Sequence, residues 1–289
     1  MASEGKSLPL RELGRLLRRW REDQGLSLEE AANSIRGIKK TALHTLEKGG
    51  KANPKENDIL EICRTYGMDA HSTAAAVGLA TQAASADWWW HPYGGLIPAE
   101  FDVYMGLESM SHKLTSFQPN LIPGLLQTSS YVLALLRKER PSADPDDWEK
   151  RVQIKAGRKR ILTRANPIEF DVVIGQAALH HVVGGPDTMA AQLRHLTEMT
   201  GLHPNICLRV LPFEAGFPSG VAVPPFVILE RPEQRTVFLE NVRGGIYLEK
   251  KADLDFYDLT YETIRQACKT PQESQSLLTR IAKEYDRER

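Results

Sequence analysis

Between Leu10 and Tyr66 the chain repeats short apolar stretches at helical spacing and breaks each with glycine, a pattern that demands a cluster of short helices rather than long ones or strands. The first stretch places Leu10, Leu13, Leu17 and Trp20 on one stripe, with Arg11, Arg15, Arg18, Arg19 and Arg21 expected on the other faces, and stops at Gln24-Gly25. Ser27 is a natural N-cap for the second, and Glu30, three residues on, completes a capping box. This second helix is expected to bury Leu28, Ala31, Ala32 and Ile35. Arg36-Gly37-Ile38 reads as a tight turn, and a third helix runs from Lys39 to Lys48 with Gly49 as its C-cap. Asn53-Pro54 is a loop, and a fourth helix ends at Tyr66-Gly67.

The third helix is two-sided. Ile38, Ala42, Leu43 and Leu46 form an inner face, while Lys39, Lys40, Thr41, His44, Thr45 and Lys48 face outward. From Arg36 to Lys55 the basic residues are Arg36, Lys39, Lys40, Lys48, Lys51 and Lys55, against the single acid Glu47. Two short helices joined by a tight turn suit the major groove, and such a patch displaces counterions from phosphates. Arg36, Lys39, Lys40, Thr41, His44, Thr45, Lys48 and Lys51 are therefore the expected DNA-contacting residues. The competing reading is the solvated face of an ordinary helical bundle. Lys+Arg and Asp+Glu balance at 37 each, so the argument for a polyanion is local and not global.

The stretch Leu13–Gly67 resembles the Cro/repressor-type, or XRE-like, helix-turn-helix domain. The matching segments are LGRLLRRWREDQGLSLEEAA, TALHTLEKG and ILEICRTYGM. The resemblance implies a five-helix head whose second and third helices dock on DNA, usually as a dimer on a two-fold operator. Two features depart from it: Ser27-Leu28 stands where many members carry Thr-Gln, and the turn at Arg36-Gly37-Ile38 is one residue longer.

A chain of 289 residues with 42% hydrophobic and 26% charged residues exceeds one ordinary compact domain, so two are expected. We divide it at residues 1–84 and 85–289. The Ala-rich run from Ala70 to Ala84 reads as a fifth helix leading out of the head, favoured over a linker, and composition changes at Asp87-Trp88-Trp89-Trp90. Beyond it, Ala99–Leu114, Thr128–Lys138, Asp147–Leu162, Asp187–Thr200 and the segment from Leu254 onward read as helix. Phe170–Ile174, Ile206–Leu211, Phe226–Glu230 and Thr236–Glu240 read as strands. The fold class is thus an all-α helix-turn-helix N-terminal domain followed by a larger α+β domain.

From Trp88 to Leu277 the chain resembles the C-terminal domain of actinobacterial antitoxin-like, or WhiJ-like, regulators. The shared motifs are WWHPYGGLIPAEF, GLES, PNLIPGLLQTSSY, VGGPDTMAAQLRHL, VLPFEAG and GGIYLE, in that order. The resemblance implies that this domain binds a small co-encoded protein. Trp88, Trp89 and Trp90 cannot all face one way, so they either staple the head to this domain or leave a ring exposed as a partner anchor. His180-His181 lacks a third ligand at metal spacing and is read as surface or packing. Gly184-Gly185 and Gly244-Gly245 fit no phosphate loop and are read as turns. Lys150, Arg151, Lys155, Arg158, Lys159, Arg160 and Arg164 form a basic run, either a solvated helix face or extra contacts to phosphate or an acidic partner.

Cys63, Cys207 and Cys268 are scattered and form no CxxC, which disfavours disulfides and zinc and suits a reducing compartment. Met1–Leu10 has no apolar core of a secretory signal, and no apolar run spans a bilayer, so a cytoplasmic location is expected. No G-x-S-x-G, HExxH or kinase-like set is present, so the expectation is a regulator and not an enzyme, with no cofactor, metal or catalytic residue. Its expected partners are double-stranded DNA, a second copy of the chain and a small co-encoded protein. The alternative is a regulator that senses a small molecule.

Overall fold

The computed structural model describes residues 8–50, 55–69, 72–73, 76–77, 79–80, 99–232, 234–241 and 244–288. The chain divides into two compact units, Met1–Gly106 and Leu107–Arg289. Trp88, Trp89, Trp90 and Lys51 lie outside the described residues, as does most of the run from Ala70 to Ala84.

The first unit opens with α1 (Leu8–Asp23), α2 (Leu28–Ser34), α3 (Lys40–Glu47) and α4 (Glu56–Thr65). Their apolar stripes converge: Leu13 and Leu17 of α1, Ala31 and Ile35 from α2 and its C-cap, Leu43 and Leu46 of α3, and Ile59, Ile62 and Tyr66 from α4 and its C-cap share one core. Of the expected fifth helix, the described residues are helical, and Ala76 and Ala80 join this core one turn apart. α1 and α3 end alike. Gly25 (φ +69°) lets Leu26 N–H reach back to the Arg21 carbonyl, and Gly49 (φ +64°) lets Gly50 N–H reach the Thr45 carbonyl. The anticipated capping box is present, with Ser27 N–H donating to Glu30 Oε2 at 2.8 Å and Glu30 N–H donating to Ser27 Oγ at 3.2 Å.

α1 crosses the end of α3 at Gly14, where a Cβ would lie 2.6 Å from the carbonyl oxygens of both Leu46 and Glu47. Both obstacles are backbone and neither can swing aside.

The second unit holds a six-stranded sheet in the order β3-β2-β1-β4-β5-β6. The strands are β1 (Lys113–Gln118), β2 (Glu169–Gly175), β3 (Ile206–Leu211), β4 (Phe226–Glu230), β5 (Arg235–Asn241) and β6 (Gly244–Leu248). β1, β2 and β3 run parallel, while β4, β5 and β6 form an antiparallel meander attached to β1. Parallel neighbours require helical crossovers. Here α6 (Ser129–Glu139) and α7 (Pro145–Arg158) join β1 to β2, and α8 (Gln176–His180) and α9 (Pro186–Leu202) join β2 to β3. The helix α5 (Ala99–Met110) precedes β1, and α10 (Lys251–Gln266) and α11 (Pro271–Arg287) follow β6. Phe117, Val173, Phe226, Ile228 and Val237 form one inner face, closed by Tyr261 and Ile264 of α10. α9 lies along α11, and both pack on β3, where Val210 N–H donates to Ser274 Oγ at 2.9 Å.

The architecture is the α+β class read from the sequence, with three local corrections. The helix expected over Ala99–Leu114 stops at Met110, and Lys113–Gln118 is instead the central strand β1. Buried on both faces, it shows a run of four buried residues and no alternation. The Gly244-Gly245 pair opens strand β6 and is not a turn, because a Cβ on Gly245 would overlap the Phe238 ring across the ladder. The basic run is not a uniform face: Arg158 is buried, Lys155 and Lys159 are half-buried, and Lys150, Arg160 and Arg164 are exposed. Gly184 lies in a bend and Gly185 is the N-cap of α9, both at positive φ. His181 Nδ1 lies 3.1 Å from the Asn120 carbonyl oxygen and His180 stacks on Phe213, as the packing reading expects.

Among the described residues no helix is long and apolar enough to cross a membrane, and no group of three or more His, Cys, Asp or Glu residues is placed to hold a metal ion.

Gly14→Ala should destabilise the head by about 1–3 kcal/mol, because α1 must lift off α3. That loss outweighs the roughly 0.5–1 kcal/mol by which Ala favours a helix interior over Gly. Hydrogen exchange of the full chain, read at the α1 and α3 amides, should show faster opening there and unchanged protection of the sheet.

Candidate nucleic-acid interface

α2 and α3 are joined by Ile35–Lys39, with Gly37 at φ +81° setting the reversal. α3 then presents Lys40, Thr41, His44, Thr45 and Lys48 along one side. With Leu28 and Gly50 they line a concave surface of about 480 Å³. Lys39, Lys40, Thr41, Thr45 and Lys48 are exposed, His44 is half-buried, and Arg36 is exposed on the turn. The described residues named from the sequence are thus exposed or half-exposed on α3 and its two ends.

The single acid of this segment is absent from that surface. Glu47 is buried, and its carboxylate takes a two-pronged bond from Arg21, Nε to Oε1 at 2.6 Å and Nη2 to Oε2 at 2.9 Å. Arg21 Nη1 also donates to the Leu26 carbonyl at 2.7 Å. Arg21 was expected on an outer face of α1, yet its side chain is only 9% exposed and that of Glu47 only 3%. The bonded carboxylate raises the pKa of Arg21 above its ordinary value. The pair ties the end of α1 to the end of α3 and to the α1–α2 loop. It also removes the segment's one negative charge from the face bearing the lysines.

Glu29 of α2 is the acid that remains beside that face. Lys40 Nζ donates to it at 2.7 Å, and this bond holds the Glu29 carboxyl below its ordinary range. Both side chains are more than half exposed, and such pairs contribute little to stability. A base edge or a phosphate can therefore take Lys40 from Glu29 at small cost. The Thr45 hydroxyl donates to the Thr41 carbonyl at 2.7 Å, which leaves its oxygen free to accept and its methyl free to touch a thymine methyl.

Leu28 was expected in the core. It is half-buried and lines the concavity, adding an apolar contact beside the hydroxyls. Beneath the site the Tyr66 hydroxyl is buried without a hydrogen-bond partner, and burial raises its pKa.

Residues 12–76 match the family model of a helix-turn-helix domain, and the described helices of the head are those such a domain requires. Residues 101–280, more than half of the chain, match the model described as a domain of unknown function (DUF5753), and the chain belongs to that family. No curated protein and no solved structure gives a significant match.

Glu47→Ala leaves the Arg21 guanidinium buried and unpaired, and should lower the stability of the head by about 3–5 kcal/mol. Glu47→Gln, which keeps an acceptor, should cost less. Urea denaturation of the full chain followed by circular dichroism should show an early helical transition for Glu47→Ala that the parent lacks.

Proposed function

We propose that this protein is a cytoplasmic, sequence-specific DNA-binding regulator of transcription whose XRE-like head reads the major groove with α3. The observation that carries this reading is the charge separation at α3. Its only acid is bonded inward to Arg21, while Lys39, Lys40, Thr41, His44, Thr45 and Lys48 are left facing or bordering solvent. A merely solvated helix face has no need to sequester its acid. The shallow concavity bounded by Leu28 and Gly50 offers mixed polar and apolar contacts to base edges. Arg36 and Lys39, before the helix, and Lys48, at the end of the concavity, suit phosphates, and Lys51 belongs to the same proposed set.

A single short helix reads few base pairs, so the protein acts as a homodimer on a two-fold operator. The second unit is the antitoxin-like, WhiJ-like module implied by its sequence motifs, and it binds a small co-encoded protein that shifts the heads between DNA-competent and DNA-incompetent arrangements. Trp88, Trp89 and Trp90 remain proposed anchors for that partner.

Selection of bound sequences from a random duplex pool, followed by titration of the winner, tests the DNA reading. Lys40→Ala and His44→Ala should each weaken the selected site by about 1–3 kcal/mol, roughly five- to 150-fold, without unfolding the head. Lys48→Ala should weaken all sequences alike and flatten the dependence of affinity on salt, as loss of a phosphate contact does. Parent-like binding by both the Lys40 and the His44 variants would remove α3 as the reader.

Titration of the same operator with and without the small partner should reveal a coupling of about 1–3 kcal/mol, and sedimentation should show a dimer. Identical curves despite a proven complex would show that the partner does not control the heads.

A further inference from the structure

α7 carries most of its cations on the wrong side for a solvated helix. Arg151, Lys155, Arg158 and Lys159, spaced i, i+4, i+7 and i+8 into the turn after the helix, are buried or half-buried with Ile154, while Lys150, Gln153, Ala156 and Arg160 are exposed. Taking a cation from water is unfavourable unless an anion or acceptors replace the water.

One of the four is satisfied. Arg158 makes a two-pronged bond to the buried Glu108, Nε to Oε1 at 2.9 Å and Nη2 to Oε2 at 2.7 Å. The other three are not neutralised: among the described residues no carboxylate lies within ion-pair distance of Arg151, Lys155 or Lys159. Arg151 Nε is buried with no hydrogen-bond partner. Lys159 Nζ donates to the Gln127 main-chain carbonyl, which carries no net charge. Glu139 and Asp147 are the acids whose charge reaches Arg151, and Glu139 and Glu240 those whose charge reaches Lys155, none of them at ion-pair distance; Glu139 is exposed and bonded to Arg140, and Glu240 is exposed on β5. Burial lowers the pKa of both lysines. On α9, His195 is close enough to Lys159 for the lysine's charge to lower its pKa further, and His195 Nε2 is buried without a partner.

We propose that the inner face of α7, with His195, is a binding site for a small phosphorylated molecule bearing at least two negative charges, held by Arg151, Lys155 and Lys159. The charge count and the partnerless Arg151 Nε select an anion. Three cations on one helix face carry more charge than a monoanion neutralises, so a diphosphate, with two charged groups, suits them better. Arginine offers a donor fork and lysine a mobile ammonium, the usual partners of phosphate oxygens. Duplex DNA is a poorer occupant, because a rigid backbone reaches exposed cations such as Lys150 and Arg160 before the half-buried ones. The inference does not depend on the head's reading of DNA.

The test is thermal denaturation and calorimetry of the full chain with sodium pyrophosphate, against sodium chloride at matched ionic strength. Pyrophosphate should raise the melting midpoint saturably. Lys155→Met and Arg151→Met should raise the midpoint of the unliganded protein and weaken pyrophosphate binding at least tenfold, while Lys150→Met on the outer side leaves binding unchanged. Pyrophosphate should also slow hydrogen exchange across residues 150–162 of the parent, a readout that survives if a variant fails to fold. Absence of saturable binding, binding that both inner variants leave unchanged, or protection confined to the head would overturn the proposal. So would a selected DNA duplex whose affinity falls with Lys155→Met as far as that of pyrophosphate.

Discussion

Glu47 is the last residue of the helix that faces solvent with its lysines, and its carboxylate lies under the surface bonded to Arg21. Much of the head is organised by that fact. The guanidinium joins the end of α1, the α1–α2 loop through the Leu26 carbonyl, and the end of α3, so three segments share one anchor. A buried ion pair is a poor source of net stability but a strict source of geometry, since any arrangement that separates its members leaves a charge in the core. Gly14 completes the constraint. With α1 backbone against the carbonyls of Leu46 and Glu47, α3 is fixed in depth as well as in rotation, and its outer side chains are held on a rigid element.

The second unit uses the same device. Glu108 at the end of α5 and Arg158 at the end of α7 form a buried two-pronged pair, and Gly124 packs so closely on that guanidinium that a Cβ there would sit 3.3 Å from Nη1. The crossover between β1 and β2 is thereby pinned to the helix that precedes β1. A second polar clasp lies nearby: Gln192, fully buried on α9, donates to the Leu126 carbonyl and accepts from Thr128 N–H, both within ordinary hydrogen-bond distance. Polar groups of this kind fix which helix lies where, and the apolar faces of the sheet supply the bulk of the burial.

The sequence discloses those parts whose signals are local. Ser27 and Glu30 announce α2, and Gly25, Gly49 and Gly67 mark where helices end, because capping chemistry is decided within a few residues. Leu13, Leu17, Leu43 and Leu46 lie in the core as their spacing requires. The inward turn of Arg21 is invisible by that logic, since its partner stands 26 positions away and an arginine reads as surface. β1 is hidden because a strand buried on both faces has no period-two pattern, and Lys113-Leu114-Thr115-Ser116 follows a helix without a strong break. Gly245 misleads because its reason is the Phe238 ring across the ladder. Likewise the basic run of α7 looks solvated until the helix's buried side is known. Of the candidate DNA surface, residue types and helix were legible; the removal of Glu47 and the participation of Leu28 required the tertiary fold.

The topology of the sheet has a kinetic consequence. β1, its central strand, pairs with β2 through Lys113↔Glu169 and with β4 through Lys113↔Glu230, so its two edges are closed by segments far down the chain. Loop closure of that length is slow, and until β4 arrives one edge of β1 stays unsatisfied. The head, built from neighbouring helices with local caps, has no such wait. During synthesis it can complete its core before the sheet exists, leaving a folded head tethered to a body with an open strand edge. Such an edge is an aggregation liability, and whatever pairs with it or shields it during that interval helps determine how much protein reaches the native state.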